Sequence, residues 1–360
     1  MAFDLVKLLT DVFDPEAGEK VTVACDVPNA QPDDTPKWSD RRLMAAEWRE
    51  AFVALGRARG FSVNPLLTYP ATGTNNGDLP EHGTMDGRSV AIEEVLLDTT
   101  LACFLTQFSA TAPLDRLTHR AIDFRAASMP GLERRMEHTA LAADYREVAR
   151  RCRILEALLR GAEELEVAFS TGHTCLFDLR YRNPETDDGS LPRHKEGDRV
   201  INLPSGETFI VPYEGERSGE PSRTVGVIPV QAGADLVLFH VEANRIARVE
   251  GRGAEAAGFS ASFAADPARA NVAEVAFGCN EWAEVTGNVL EDEKAGFHWA
   301  FGRSEHLGGT VGPESFVSRS TVVHQDIVYA RGNPIQVARA VLRKDGAPRT
   351  VILDGAYVVF

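Results

Sequence analysis

Residues 296 to 329, "GFHWAFGRSEHLGGTVGPESFVSRSTVVHQDIVY", hold three of the chain's nine histidines together with the carboxylates of Glu305, Glu314 and Asp326. Imidazole and carboxylate are the donors that borderline divalent metals accept. The run "VVHQDIV" is the most telling part. Read as a strand, it puts residues i and i+2 on one face, so His324 and Asp326 project side by side while Val323, Gln325 and Ile327 face the other way. Three more stretches in the same half of the chain carry donors: "NLPSGETF" with Glu207, "NVAEVAFG" with Glu274, and "FHWAFGRSEHLGG" with His298, Glu305 and His306. Glu274 interrupts an otherwise apolar run. A buried carboxylate with no partner is expensive, so it calls for a cation nearby. Each residue alone has a plainer reading: a His and acid pair on a half-exposed strand, a core histidine between Phe297 and Trp299, or surface acids and caps. Their gathering in one half of the chain points to a metal site.

Other chemistries find less support. The sequence has no G-x-S-x-G nucleophile elbow, no G-x-x-x-x-G-K-[ST] phosphate loop and no H-E-x-x-H. "GRGAEAAG" at 251 to 258 has the wrong spacing for a dinucleotide fingerprint and reads as a loop; "GTNNGD" at 73 to 78 reads as a surface turn. Cys279 lies beside the proposed site, and nothing marks it as an activated thiolate. His173 and His240 lack donor companions at strand spacing and read as structural.

The elements that would position these residues follow from periodicity. Up to about residue 165, strand-like and helix-like segments alternate, as in a layered α/β domain with a largely parallel sheet. "KVTVACD" (20 to 26) is a buried strand, and 37 to 60 is a helix with Leu43, Trp48, Phe52 and Leu55 near one face and Gly60 as its stop. "FSVNPLLTYP" returns as strand, and 144 to 162 is the last helix of this half, followed by the strand "ELEVAFSTG". Beyond it, short β-runs separated by Gly, Pro and Asp dominate, with helix signals mainly around "AADPARANVAEVAFG". The expected architecture is α/β plus α+β: an N-terminal α/β domain over 1–165, and a C-terminal β-rich domain over 166–360 that carries the metal site.

Composition narrows the partners. The 360 residues are 44% hydrophobic and 25% charged, which suits a globular chain of about two domains. Net charge is −15, with 53 Asp and Glu against 38 Lys and Arg, so neither nucleic acid nor an anionic membrane is an expected partner. The five cysteines are scattered, odd in number and never paired as C-x-x-C, which argues for a reducing compartment and against a disulfide framework or zinc ribbon. "MAFDLVKLLTDVF", with Phe3, Val6, Leu9 and Phe13 at helical spacing, reads as an amphipathic helix rather than a signal peptide. No stretch approaches the roughly 18 apolar residues that a membrane span needs, and the expected location is cytoplasmic.

The order "NLPSGETFIVP", "AEVAFG", "DEKAGFHWAFG", "GGTVG", "VVHQDIV" resembles the aminopeptidase T / aminopeptidase S family of bacterial metallopeptidases. The resemblance covers most of the C-terminal half, and the N-terminal half only through its α/β pattern. It implies that Glu207, Glu274, His298, His324 and Asp326 are ligands of two divalent metals (zinc, cobalt or manganese) in a homodimer that cleaves small peptides or amino-acid-derived substrates. One position departs. The family places a tyrosine seven residues after the first of these histidines, where this chain has Glu305, followed by His306. Glu305, with Glu207 beside its ligand role, becomes the candidate catalytic carboxylate, and His306 a possible additional ligand. The chain also resembles the 2,5-dihydroxypyridine 5,6-dioxygenases, which hold one Fe(II) with two histidines and an aspartate. Here Glu207 and Glu274 are both acidic, as in the peptidases, and a triad of His298, His324 and Asp326 is still available. A metal-free binding protein on the same fold is the third reading.

Overall fold

The computed structural model describes residues 3–29, 34–121 and 123–360. They form a mixed α/β structure of two compact units. The first comprises 1–149, 187–206 and 280–294, and the second 150–186, 207–279 and 295–360. This differs from the contiguous division at 165, because 187–206 and 280–294 return to the first unit. Such returns leave no compositional mark in the sequence.

The first unit is built on an eight-stranded sheet whose centre is parallel: Lys20–Val27 lies between Leu67–Pro70 and Leu101–Thr106, with Arg125–Pro130 beyond. These strands are apolar on both faces because both faces are covered. On one side Ala24, Leu67, Phe104 and Ala126 pack with Leu96, Leu114 and Leu117. The helix Pro36–Arg59 buries Met44, Trp48, Phe52 and Gly56, a ridge with four-residue spacing, and Ala45 beside it. Leu43, expected on that face, points outward and is 57% exposed. The helix Leu5–Phe13 likewise buries Leu8, Leu9, Val12 and Phe13 and leaves Val6 outside, while Met1 and Ala2 lie outside the described residues. Beside the sheet, Arg125 and Glu19 form a fully buried ion pair.

The second unit contains an eight-stranded antiparallel sheet and, in a separate five-stranded sheet, four consecutive neighbours: β1 (Glu207–Ile210), β2 (Val272–Gly278), β3 (Phe297–Gly302) and β4 (His324–Tyr329). All three pairings are antiparallel. The helix expected around "AADPARANVAEVAFG" falls earlier, at Ala254–Ala265, and so takes in most of the stretch read as a loop at 251–258. Alanine-rich "AEAAGFSASFAA" has high helix propensity, which outweighs its single glycine, whereas "VAEVAF" is committed to β2 by its sheet neighbours. Among the described residues no helix is long and apolar enough to cross a membrane.

Candidate metal centre

The segment "FHWAFG" of β3 alternates by size. Phe297, Trp299 and Phe301 take one face; His298, Ala300 and Gly302 take the other. The aromatic face is anchored in the core, where Phe239 meets Trp299 edge-on with ring centroids 5.8 Å apart and Phe263 meets Phe301 at 5.3 Å. The opposite face is thereby fixed toward the candidate site.

Register then assembles the donors. Ala300 lies directly between Glu274 on β2 and Asp326 on β4, His298 lies between Ala276 and Val328, and Glu207 on β1 faces Gly278. Facing residues of an antiparallel pair share a side of the sheet, and so do positions i and i+2. Glu207, Glu274, His298, His324 and Asp326 therefore share one face, with Ala276, Gly278, Ala300 and Gly302 filling positions among them. A bulge between Val272 and Glu274 sets two residues of β2 against one of β3, so that Val272 joins the aromatic side and Glu274 the donor side.

The distances confirm a single cluster. His298 Nε2 lies 3.4 Å from Glu207 Oε2 and 3.9 Å from Glu274 Oε1, while His324 Nε2 lies 3.0 Å from Glu274 Oε2 and 3.5 Å from Asp326 Oδ1. One ligand atom each from Glu274, His298 and Asp326 falls within 4.8 Å of the others. Glu207 and Glu274 are 7% and 5% exposed, and His298 is fully buried. The remaining imidazole nitrogens are held by main chain: His298 Nδ1 donates to Gly296 O at 3.2 Å and His324 Nδ1 to Arg303 O at 2.7 Å. Both Nε2 atoms thus face the cluster, as ligating histidines require.

Two features show that this donor set suits a cation. His298 Nε2 is buried and makes no hydrogen bond. Three carboxylates lie on one face with His324: burial works to lower the His324 pKa, but the carboxylates of Asp326 and Glu274 more than reverse this and hold it well above its ordinary value, favouring its protonated form. A divalent ion would take the place of that proton.

The expected catalytic carboxylate fares differently. Glu305 is half exposed, and its Oε2 accepts from Arg303 Nη2 at 2.7 Å and Nε at 3.1 Å. Its neighbour His306 packs edge-on against His324, with ring centroids 5.0 Å apart. Although His306 has an exposed side, desolvation by its packed neighbours, then His324 and Arg303, push its pKa down to about 4. Cys279 packs against Cys152 with the sulfurs 3.4 Å apart, in keeping with its reading as a packing residue. His240 is taken up by Glu250 and Arg248, and His173 by Thr171.

Gly302 is required where it stands. Its φ is +109°, and a Cβ there would lie 2.1 Å from the carbonyl oxygen of Val323, immediately before His324. Gly302→Ala is expected to cost at least about 1–3 kcal/mol of stability from backbone strain and to shift the β3–β4 pairing that carries His324. Chemical denaturation would measure the first effect, and cation affinity the second.

No family model matches the chain, and no curated protein matches it. Two solved structures share its fold over nearly the whole length. The 2,5-dihydroxypyridine dioxygenase of Pseudomonas putida KT2440 is 16% identical with a TM-score of 0.64, covering 98% of this chain and 96% of its own. Wild-type AmpT from Thermus thermophilus, an aminopeptidase, is 14% identical with a TM-score of 0.56, covering 99% of this chain and 98% of its own. The two expected fold relatives are thus both found, and both are enzymes. At these identities the likeness establishes the fold.

Proposed function

We propose that the chain is a metal-dependent hydrolase of aminopeptidase type, acting on a small peptide or an amino-acid-derived amide. The observation that carries this reading is the placing of Glu274. Its Oε1 is turned to His298 and its Oε2 to His324, so one carboxylate stands between two donor groups, Glu207 with His298 and His324 with Asp326. Zinc, cobalt or manganese would suit these donors, two ions per chain being within the reach of the set, and three carboxylates would offset much of the charge of two dications. Such ions, when bound, bring the pKa of a water ligand toward ~7 and polarise a scissile carbonyl.

The protein's own groups then have distinct tasks. Glu207, Glu274, His298, His324 and Asp326 hold the ions, and the carbonyls of Gly296 and Arg303 orient the two imidazoles. A hydrolysis also needs a group to accept and return a proton. Glu305 is engaged by Arg303, and His306, resting on His324, has a pKa lowered to about 4, which makes it a weak base at neutral pH.

A second reading uses a subset of the same donors. His298, His324 and one carboxylate make the two-imidazole, one-carboxylate set of non-haem Fe(II) oxygenases. Elemental analysis of protein purified under nitrogen, without chelator or affinity metal, separates the readings. About two zinc, cobalt or manganese ions per chain, with turnover of aminoacyl amides, is the expected result. A single iron per chain with oxygen uptake on hydroxylated pyridines would replace it with the dioxygenase. No bound metal, and a melting temperature indifferent to chelator, would leave a binding protein.

A further inference from the structure

Glu214 lies four residues beyond β1, outside the donor cluster, yet both oxygens of its carboxylate are held by several donors. It is 5% exposed. Oε1 accepts from Ser304 Oγ at 2.5 Å and from Asn271 Nδ2 at 2.8 Å; Oε2 accepts from the Thr310 backbone N–H at 2.6 Å and Thr310 Oγ1 at 2.7 Å. The nearest cation, Arg182, stands at 3.4 Å and is shared with Glu216 at 2.7 Å. Burying a carboxylate is costly unless hydrogen bonds compensate it, which directs attention to what these donors position.

They flank the ligand strands. Asn271 immediately precedes β2, and its amide also donates to the carbonyl of Gly302 at the end of β3, 3.1 Å away. Ser304 and Thr310 close the neck of the loop between β3 and β4. Ser304 N–H donates to Val311 O at 3.0 Å, and Val311 N–H returns to Ser304 Oγ at 3.2 Å. That loop carries His306. Its first residue, Arg303, supplies the carbonyl that holds His324 Nδ1 at 2.7 Å. Gly309 fits the neck only because it lacks a side chain, since a Cβ there would lie 2.3 Å from Ser304 Oγ.

We infer that Glu214 is a positioning residue of the metal centre: it cinches the 303–311 loop so that the Arg303 carbonyl aims His324, and the loop presents His306 to the site. The inference rests on the reading of the cluster as a metal centre. It assigns the role to a residue with no contact to the ligands themselves, acting through Ser304 and the adjoining peptide.

Co(II) titration followed by visible absorption tests it in wild type, Glu214→Ala, Glu214→Gln and Ser304→Ala. Groups that orient metal ligands typically contribute 10–100-fold in affinity. Glu214→Ala is expected to bind Co(II) weaker by that factor with an altered ligand-field spectrum, Glu214→Gln to retain part of the affinity, and Ser304→Ala to shift the spectrum in the same sense. Ser304→Ala removes one hydroxyl and keeps the test available should Glu214→Ala fail to fold. A purely structural role would lower the melting temperature and leave affinity and spectrum unchanged, which would overturn the inference alone. A wild-type chain that takes up no Co(II) would overturn the metal reading and the inference with it.

Discussion

Glu274→Gln is expected to empty the metal centre while leaving the fold in place. The substitution keeps the size of the side chain and its place opposite Ala300, and removes the one charge that both histidines face. If about 10–16 kcal/mol of binding free energy is shared among four ligands, each supplies roughly 2.5–4 kcal/mol. A loss on the order of a hundredfold in affinity is expected, with activity falling in parallel. Elemental analysis after exhaustive buffer exchange reads the first, and circular dichroism confirms the fold. His324→Ala should behave alike. Variants that keep both full metal content and full activity would remove Glu274 and His324 from the site.

Arg125→Met should produce the largest loss of stability, in the other unit and with no bearing on metal. Arg125 Nη1 contacts Glu19 Oε1, and its Nη2 reaches Glu19 Oε2 at 3.1 Å; the remaining guanidinium hydrogens are taken by the carbonyls of Leu191, Phe13 and Thr100. Neither side chain has solvent exposure. Removing the cation leaves a carboxylate in the interior, a change that typically costs about 3–5 kcal/mol. The double variant Glu19→Leu with Arg125→Met should recover much of this, since the uncompensated charge is gone. Acid offers an independent check. Burial would raise the Glu19 pKa, but Arg125 and the Glu16 N–H outweigh it and hold the carboxyl below its ordinary value of 4.5. Its contribution is then fully present above about pH 4.5 and is lost as pH falls through the lower folded value. The gap between wild type and Arg125→Met, measured by urea denaturation, should therefore narrow on acidification. A gap that widens would show that Glu19 is not held charged by Arg125.

What could be read beforehand was local and periodic. The i, i+2 spacing of His324 and Asp326, and a glutamate inside "VAEVAF", carry their meaning in a single strand, and the structure brings those residues together with Glu207 and His298. The layered α/β pattern and the β-rich second half were legible for the same reason. What depended on distant partners was not. Nothing in "VPYEGE" marks Glu214 as the anchor of a loop some ninety residues later, and Glu305 could not be known to face Arg303 until the 3-10 turn placed it there. The bulge ahead of Glu274 is equally silent, because it exists only in the pairing of two strands. Leu43 illustrates the limit of periodicity within one helix. Both Leu43 and Met44 fit an apolar stripe, and only the packed sheet decides that Met44 turns inward.

Ala276, Gly278, Ala300 and Gly302 contribute no donor atom, yet they stand in register with the residues that do. Their shortness keeps the middle of the donor face open. On the metal reading, a chain of this fold could lose its ion by acquiring atoms as readily as by shedding them, for a bulkier side chain at Ala300 would crowd the space among the donors with every donor still present. A survey of diverged copies that checks only for histidine, aspartate and glutamate would count such a chain as competent. Room among the donors is inherited alongside the donors themselves and has to be sought in the alanines and glycines.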